Sequence, residues 1–323
     1  MPDAQTLLSV PELEPSAIRA AAETIDPAFR HTPQFVHDGL TARLGAPVVV
    51  KVETVNPIRS FKGRGTWVAV LGLAGEGRIG PTRAVVVASA GNFGQGVAYA
   101  AARVGAEAIV FASRHANRAK IARMRALGAA VNEVGEDFDD ARLAAERYAT
   151  EHDGELLVDG DDVRISTGAA TLALEVTEAI EAGSLPPLAV ASVPVGNGAL
   201  INGVGAWLRH ASPGTRVVGV QADGADAMTR SFIAGRPIDT PTASTYADGI
   251  ASRVAVPRAV ALMAGRVDAM RTVSEDALHD AQDELTKALG ITVEGAAAAS
   301  WAGLLAVPPP VGAALLIVTG SNL

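Results

Sequence analysis

Short β-branched runs alternate with helix-length segments along most of the chain. Residues 47–53, 84–88, 107–111, 130–134, 188–193, 216–221 and 314–318 read as strands. Between them, apolar positions at helical spacing predict helices over 94–104, 116–127, 139–151, 168–182 and 274–289. Ser274 heads the last of these, with Glu275 and Asp276 in its first turn, as a capped and dipole-matched start requires. Strand–helix–strand repetition implies right-handed crossovers and an α/β fold of two lobes, each a mostly parallel sheet flanked by helices. Residues 84–160 form a βαβαβα-like block within the remaining chain. This predicts a small inserted domain over 84–160 and a large domain built from 1–83 and 161–323.

Three stretches, 84–102, 182–208 and from Gly295 to the end, carry no charged residue. Each approaches the ~20 apolar residues of a membrane span. The first two are interrupted by Gly, Asn, Ser or Gln, and Pro186, Pro187 and Pro194 also break the second. Pro308, Pro309 and Pro310 cut the third. Parallel strands covered on both faces produce such runs without any lipid, so no membrane association is expected.

Composition narrows the chemistry. A chain of 323 residues exceeds what one core of roughly 250–300 residues fills, which agrees with two lobes. The 35 acidic against 27 basic side chains leave no surplus to neutralise phosphates, so no nucleic-acid partner is expected. The absence of cysteine removes disulfides, thiolate metal sites and a cysteine nucleophile. The first fifteen residues lack the basic start and apolar core of a secretory signal, which predicts a cytoplasmic protein. Glycine, at 33 residues, stands above the usual ~7%.

Some motifs mislead. Gly75-Glu-Gly-Arg-Ile-Gly80 matches a dinucleotide fingerprint, but a helical segment precedes it and Pro81 then a strand follow, the reverse of what pyrophosphate binding needs. Val87-Ala-Ser-Ala-Gly91 is a partial nucleophile elbow that leaves Ser89 open as a hydrolase serine. The six histidines show no metal-ligand spacing.

Four segments carry the chemistry. In Ser60-Phe-Lys-Gly-Arg-Gly65, Lys62 follows a strand and loop beside aromatic Phe61; partial burial, with Lys51 and Arg64 expected nearby, would favour the free amine that imine chemistry needs. Ser89-Ala-Gly-Asn-Phe-Gly-Gln-Gly96 lies between strand and helix, where backbone N–H groups converge on an anion and Asn92 adds a side-chain donor. Pro194-Val-Gly-Asn-Gly-Ala-Leu200 repeats the arrangement and can cradle a phosphate without a cation. Thr319-Gly-Ser-Asn322 ends the last strand, where ligands of α/β sheets gather.

In this order the segments resemble the fold-type II (tryptophan synthase β-like) pyridoxal-phosphate enzymes, specifically the threonine/serine dehydratase group with its racemases. The resemblance runs from about Ile18 to Asn322. It implies pyridoxal 5'-phosphate as cofactor, carried by Lys62 next to Phe61. Asn92 would meet the cofactor's phenolic oxygen. Gly196, Asn197, Gly198, Ala199 and Leu200 would grip its phosphate, Thr319 would be a neutral partner of the pyridine nitrogen, and Gly249 and Glu294 would border it. Ser89, Ala90, Gly91, Asn92 and Phe93 would bind the substrate carboxylate. The implied reaction is β-elimination from a β-hydroxy amino acid such as threonine, serine or a bulkier analogue, giving a 2-oxo acid and ammonia. β-Replacement or threonine-synthase-like chemistry is the alternative, and the implied assembly is a homodimer.

Departures from the group's pattern sharpen this. Racemases place a second serine where this chain has Ala90, so the opposite-face proton donor is missing and dehydration is favoured. Gln221 and Ala227 stand where metal-activated relatives carry carboxylates, so no metal is expected despite Asp223 and Asp226. Phe93 replaces a common His and could reshape the pocket toward a bulkier or apolar β-substituent, while Asn197 and Ala199 break a glycine run. With the chain ending after Asn322 and Leu323, no C-terminal regulatory domain is expected.

Overall fold

The computed structural model describes residues 13–322. The leader reading and the start of the predicted large domain fall partly on residues 1–12, outside the described residues. Helix α1 (Pro15–Thr24) is followed by β1 (Gln34–Val36), α2 (Asp38–Leu44), β2 (Val48–Val52) and α3 (Lys62–Gly75). Next come β3 (Val85–Ala88), α4 (Asn92–Val104), β4 (Ala108–Ala112), α5 (Arg118–Ala126), β5 (Ala130–Glu133), α6 (Phe138–Glu151) and β6 (Glu155–Leu156). The chain continues through α7 (Val163–Glu181), β7 (Leu188–Pro194), α8 (Ala199–Ala211), β8 (Arg216–Ala222), α9 (Ala227–Ala234), α10 (Pro257–Met263), β9 (Ala269–Val273), α11 (Glu275–Leu289), α12 (Gly295–Leu305) and β10 (Ala313–Val318).

Two sheets result. One has the order β1-β2-β10-β7-β8-β9, the other β5-β4-β3-β6. Every pairing is parallel except β1 with β2. The last strand in sequence, β10, inserts between β2 and β7, and all its residues are buried. Its lack of charge is thus explained by burial on both faces. Since β2, β10, β7 and β8 run parallel, the loops after them emerge at one sheet edge. That edge receives the loop to Lys62, Thr319–Asn322 and the glycine-rich turn into α8.

The sequence misses β1, β6 and β9, which are very short or half-buried and offer no continuous apolar run. Helix α7 begins at Val163 rather than Gly168, because the Asp162 carboxylate caps the Arg164 N–H at 2.9 Å. The Gly75–Gly80 stretch closes α3 and enters a loop, with no helix after it. Gly168 lets α7 cross α3 backbone to backbone: a Cβ there would lie 2.5 Å from the Arg64 carbonyl oxygen. No helix among the described residues is long and apolar enough to cross a membrane.

Candidate active site

The loop before Lys62 is held by its own side chains. Asn56 donates from Nδ2 to the Glu53 and Ser60 carbonyls, and its Oδ1 accepts from the Ile58 and Ser60 N–H groups. Ser60 bridges to Gly320, and the Phe61 N–H donates to the Thr319 carbonyl at 3.0 Å. These bonds tie the lysine loop to the end of β10. Lys62 opens α3 with its Nζ 5.1 Å from the Phe61 ring centre and 5.9 Å from that of Phe93. Its ion partner is Asp159, with Nζ to Oδ2 at 2.6 Å.

The cations predicted beside Lys62 serve elsewhere. Lys51 and Arg64 are fully buried with Glu53 and Glu175 in a four-charge cluster. Arg64 meets Glu53 through Nε and Nη2 at 2.8 and 3.0 Å, and Glu175 through Nη1 and Nη2 at 2.8 and 2.9 Å. Lys51 Nζ donates to Glu175 Oε2, the Thr32 carbonyl and Gln34 Oε1. Burial alone would raise the Glu175 carboxyl, but the hydrogen bonds and charge of Arg64, with Lys51, bring it down to about 2. Burial pushes Lys51 downward, against the pull of Glu53 and Glu175. The cluster pins the first turn of α3 to β2 and α7. The run of apolar residues around Lys51 carries no sign of it, because Lys51 and Glu175 lie 124 positions apart.

Across the cleft, Ser89 at the end of β3 is buried, and its hydroxyl oxygen accepts from the Gly91 and Gly94 N–H groups at 3.2 and 2.9 Å. The serine shapes the turn into α4 and retains its own proton to donate. None of these hydrogen bonds involves an imidazole, so the hydrolase reading lacks its base. Asn92, the first residue of α4, donates from Nδ2 to both Glu294 oxygens at 3.0 and 3.1 Å. Asn322 Nδ2 donates to Asn92 Oδ1 at 2.7 Å and to the Ile58 carbonyl at 2.8 Å, while Arg123 donates to Asn322 Oδ1 at 2.8 Å. Burial pushes the Glu294 carboxyl up to about 7, against the Asn92 hydrogen bonds and the Lys120 charge. Lys120 of α5 pairs with Asp248, adding a second link between the two sheets' loops.

The turn into α8 has the shape of an anion cradle. Gly198 sits at φ 92°, and a Cβ on Gly196 would lie 2.7 Å from the Gly249 carbonyl oxygen. Beyond it, buried Ala199 and Leu200 start a helix whose first N–H groups have no acceptor within that helix. Asn197 Oδ1 accepts from Ser252 Oγ at 2.9 Å. Gly249 approaches Ala296 closely, and buried Thr319 follows β10. A lysine, a helix N-terminus framed by glycines and a buried hydroxyl residue fit pyridoxal phosphate.

The structure therefore brings Lys62 against Phe61, Phe93 and Asp159, Asp159 against Asn197 of the 196–200 loop, Gly196 against Gly249, Asn92 against Glu294 and the Phe61 N–H against the Thr319 carbonyl, with Ser89, Ala90 and Gly91 in the turn that leads to Asn92. Gln221 turns away: its Oε1 accepts from the Thr229 N–H and hydroxyl at 2.7 and 2.9 Å. Asp226 pairs with Arg230. No cluster of three or more metal-ligating side chains occurs among the described residues. Sequence reasoning missed Asp159, although Asp159-Gly160 is a turn signal; it missed Lys120 and Arg123, which carry no local signature, and the pairing of Lys120 with Asp248.

The comparisons agree with this geometry. The family described as pyridoxal-phosphate dependent enzyme matches residues 25–320, and the chain belongs to it. It is a pyridoxal-phosphate enzyme of the fold-type II architecture. A biosynthetic L-threonine dehydratase of Mycobacterium leprae is 35% identical over 311 residues, covering 94% of this chain and 71% of the relative. An L-threonine ammonia-lyase of Thermotoga maritima is 33% identical, covering 89% and 70%. The crystal structure of the T.th. threonine deaminase superposes with a TM-score of 0.87 at 30% identity, covering 96% and 98%. Maize serine racemase shares the fold, with a TM-score of 0.88 at 24% identity over 96% and 94%.

Proposed function

We propose that this enzyme is an ammonia-lyase that converts a β-hydroxy amino acid of the threonine and serine class to a 2-oxo acid and ammonia. The observation that carries the reading is Lys62 Nζ, held between two aromatic rings and a carboxylate at the cleft between the two sheets' strand ends. When bound, the cofactor supplies the electron sink for a carbanion at Cα. Lys62 takes the Cα proton as general base. The N–H groups of Ala90, Asn92 and Phe93, with the Ser89 hydroxyl, would receive the substrate carboxylate, since the Ser89 and Gly91 N–H groups are spent on the Phe111 carbonyl and Ser89 Oγ. The 196–200 loop would hold the cofactor's phosphate by backbone donors, Asn92 would meet its phenolic oxygen, Thr319 would be an uncharged partner for its ring nitrogen, and Phe61, Gly249 and Glu294 would border it. Ala90 offers no opposite-face proton donor, which favours elimination over racemisation.

The relatives' names support dehydration over β-replacement. Threonine, serine and aryl-substituted β-hydroxy amino acids, scored by 2-oxo acid release, test this. Release without an added nucleophile is the expected outcome; inertness until a nucleophile is supplied would select replacement. Lys62→Ala should abolish turnover and the visible absorbance of the loaded protein. We further propose the division into a small domain over 84–160 and a large one from 1–83 and 161–323, a homodimer, and a cytoplasmic site of action. Light scattering of the loaded enzyme tests the dimer.

A further inference from the structure

Asp159 follows β6 and occupies the return from the four-stranded sheet to α7. Gly160, at φ 88°, turns the chain so tightly that a Cβ there would lie 2.4 Å from the Asn197 carbonyl oxygen. The turn thus rests directly on the phosphate loop and fixes where Asp159 points. Asn197 Nδ2 reaches Asp159 Oδ2 at 3.4 Å, and Ser252 Oγ steadies Asn197 from behind at 2.9 Å. This explains why a side chain interrupts the glycine run at Asn197. Asp159 Oδ2 meets Lys62 Nζ, while Asp159 Oδ1 is buried with no hydrogen-bond partner among the described residues. A buried acceptor left unmet costs about 1–3 kcal/mol, so the site is built for a donor.

We propose that the donor is the β-hydroxyl of the substrate, and that Asp159 selects and orients this leaving group; the inference rests on the elimination reading above. A hydroxyl placed between Asp159 Oδ1 and Lys62 Nζ donates to the first and accepts from the second. The Cα–H bond breaks with its proton passing to Nζ and its electron pair forming the Cα–Cβ double bond. The Cβ–O bond breaks with its pair on oxygen, which takes a proton from Nζ and departs as water. Asp159 ends the step as it began, an ionised acceptor, and no co-reactant is needed. A leaving group that departs without a proton and carries no donor, such as chloride, bypasses Asp159.

The test compares L-serine with β-chloro-L-alanine in the loaded wild type, Asp159→Asn and Asn197→Gly. Asp159→Asn should lose about 100-fold in kcat on serine, the scale of a reacting group held about 1 Å out of place, and at least about tenfold less on β-chloroalanine. Asn197→Gly should shift the same ratio in the same direction by a smaller factor, and it decides the matter if Asp159→Asn does not fold. Absorbance titration of the apoprotein variants with pyridoxal phosphate should show affinity within roughly fivefold of wild type, about 1 kcal/mol. Equal losses on both substrates, or a larger fall in cofactor affinity, would overturn the proposal by making Asp159 a scaffold of the cofactor site. A wild type that releases 2-oxo acid from neither substrate would instead bring down the elimination reading, and this inference with it.

Discussion

Glu175→Gln probes the buried cluster that anchors the lysine-bearing helix. In the wild type, Lys51 and Arg64 are balanced by Glu53 and Glu175, all at most 7% exposed. The amide keeps the volume but leaves two cations facing one carboxylate, away from water. Removing one partner from a buried pair costs about 3–5 kcal/mol. Unfolding entropy near 2.1 cal/mol/K per residue over 323 residues gives roughly 0.7 kcal/mol/K. The thermal midpoint should therefore fall by about 4–7 °C at pH 7. Because the Glu175 carboxyl drops from 4.5 to about 2 on folding, its contribution is fully present above 4.5 and lost as pH falls toward 2. The difference between wild type and variant, followed by urea unfolding, should shrink over that window by roughly 3 kcal/mol. Adding Lys51→Met to the variant restores the charge balance and should recover part of the loss. A Glu175→Gln protein within about 1 kcal/mol of wild type at pH 7, with no recovery on adding Lys51→Met, would refute the reasoning.

Glu294 has the opposite sign. Its carboxyl rises to about 7 on folding, so its contribution to apoprotein stability is present below 4.5 and falls by roughly 3 kcal/mol as pH climbs to 7. In Glu294→Gln that decline should vanish from urea midpoints measured across the same range. Gly168→Ala should cost about 1–3 kcal/mol by forcing α7 off the Arg64 carbonyl; Gly75→Ala, with nothing within 4 Å, should be neutral or stabilising by up to about 1 kcal/mol in the same thermal scan. Asn322→Ala leaves Arg123, Asn92 and the Ile58 carbonyl without their shared partner. It should cost about 1–3 kcal/mol and speed hydrogen exchange at the start of α4; unchanged exchange there would argue that Asn322 links nothing.

Local pattern determined much of this protein. Runs such as Val48-Val-Val-Lys-Val and Ala313-Ala-Leu-Leu-Ile-Val announce buried parallel strands, since only coverage on both faces accounts for so many β-branched and aliphatic residues in a row. The glycine-rich turns at Ser89–Gly96 and Gly196–Leu200 were legible because close packing there, as of Gly96 on Thr66 and Gly196 on the Gly249 carbonyl, demands small residues at fixed places. Lys62 was legible because its motif is contiguous. Its surroundings were not. Whether a lysine meets cations or a carboxylate depends on strand order, and only the tertiary structure sent Lys51 and Arg64 into the Glu53–Glu175 cluster and brought Asp159 to Nζ from 97 residues away. The Asn92–Glu294–Asn322–Arg123 network was settled in the same way, by parallel strands that open their carboxyl ends toward one cleft. Peptide geometry over a few residues is written in those residues. Electrostatics over a few ångströms belongs to whichever distant residues the fold brings there.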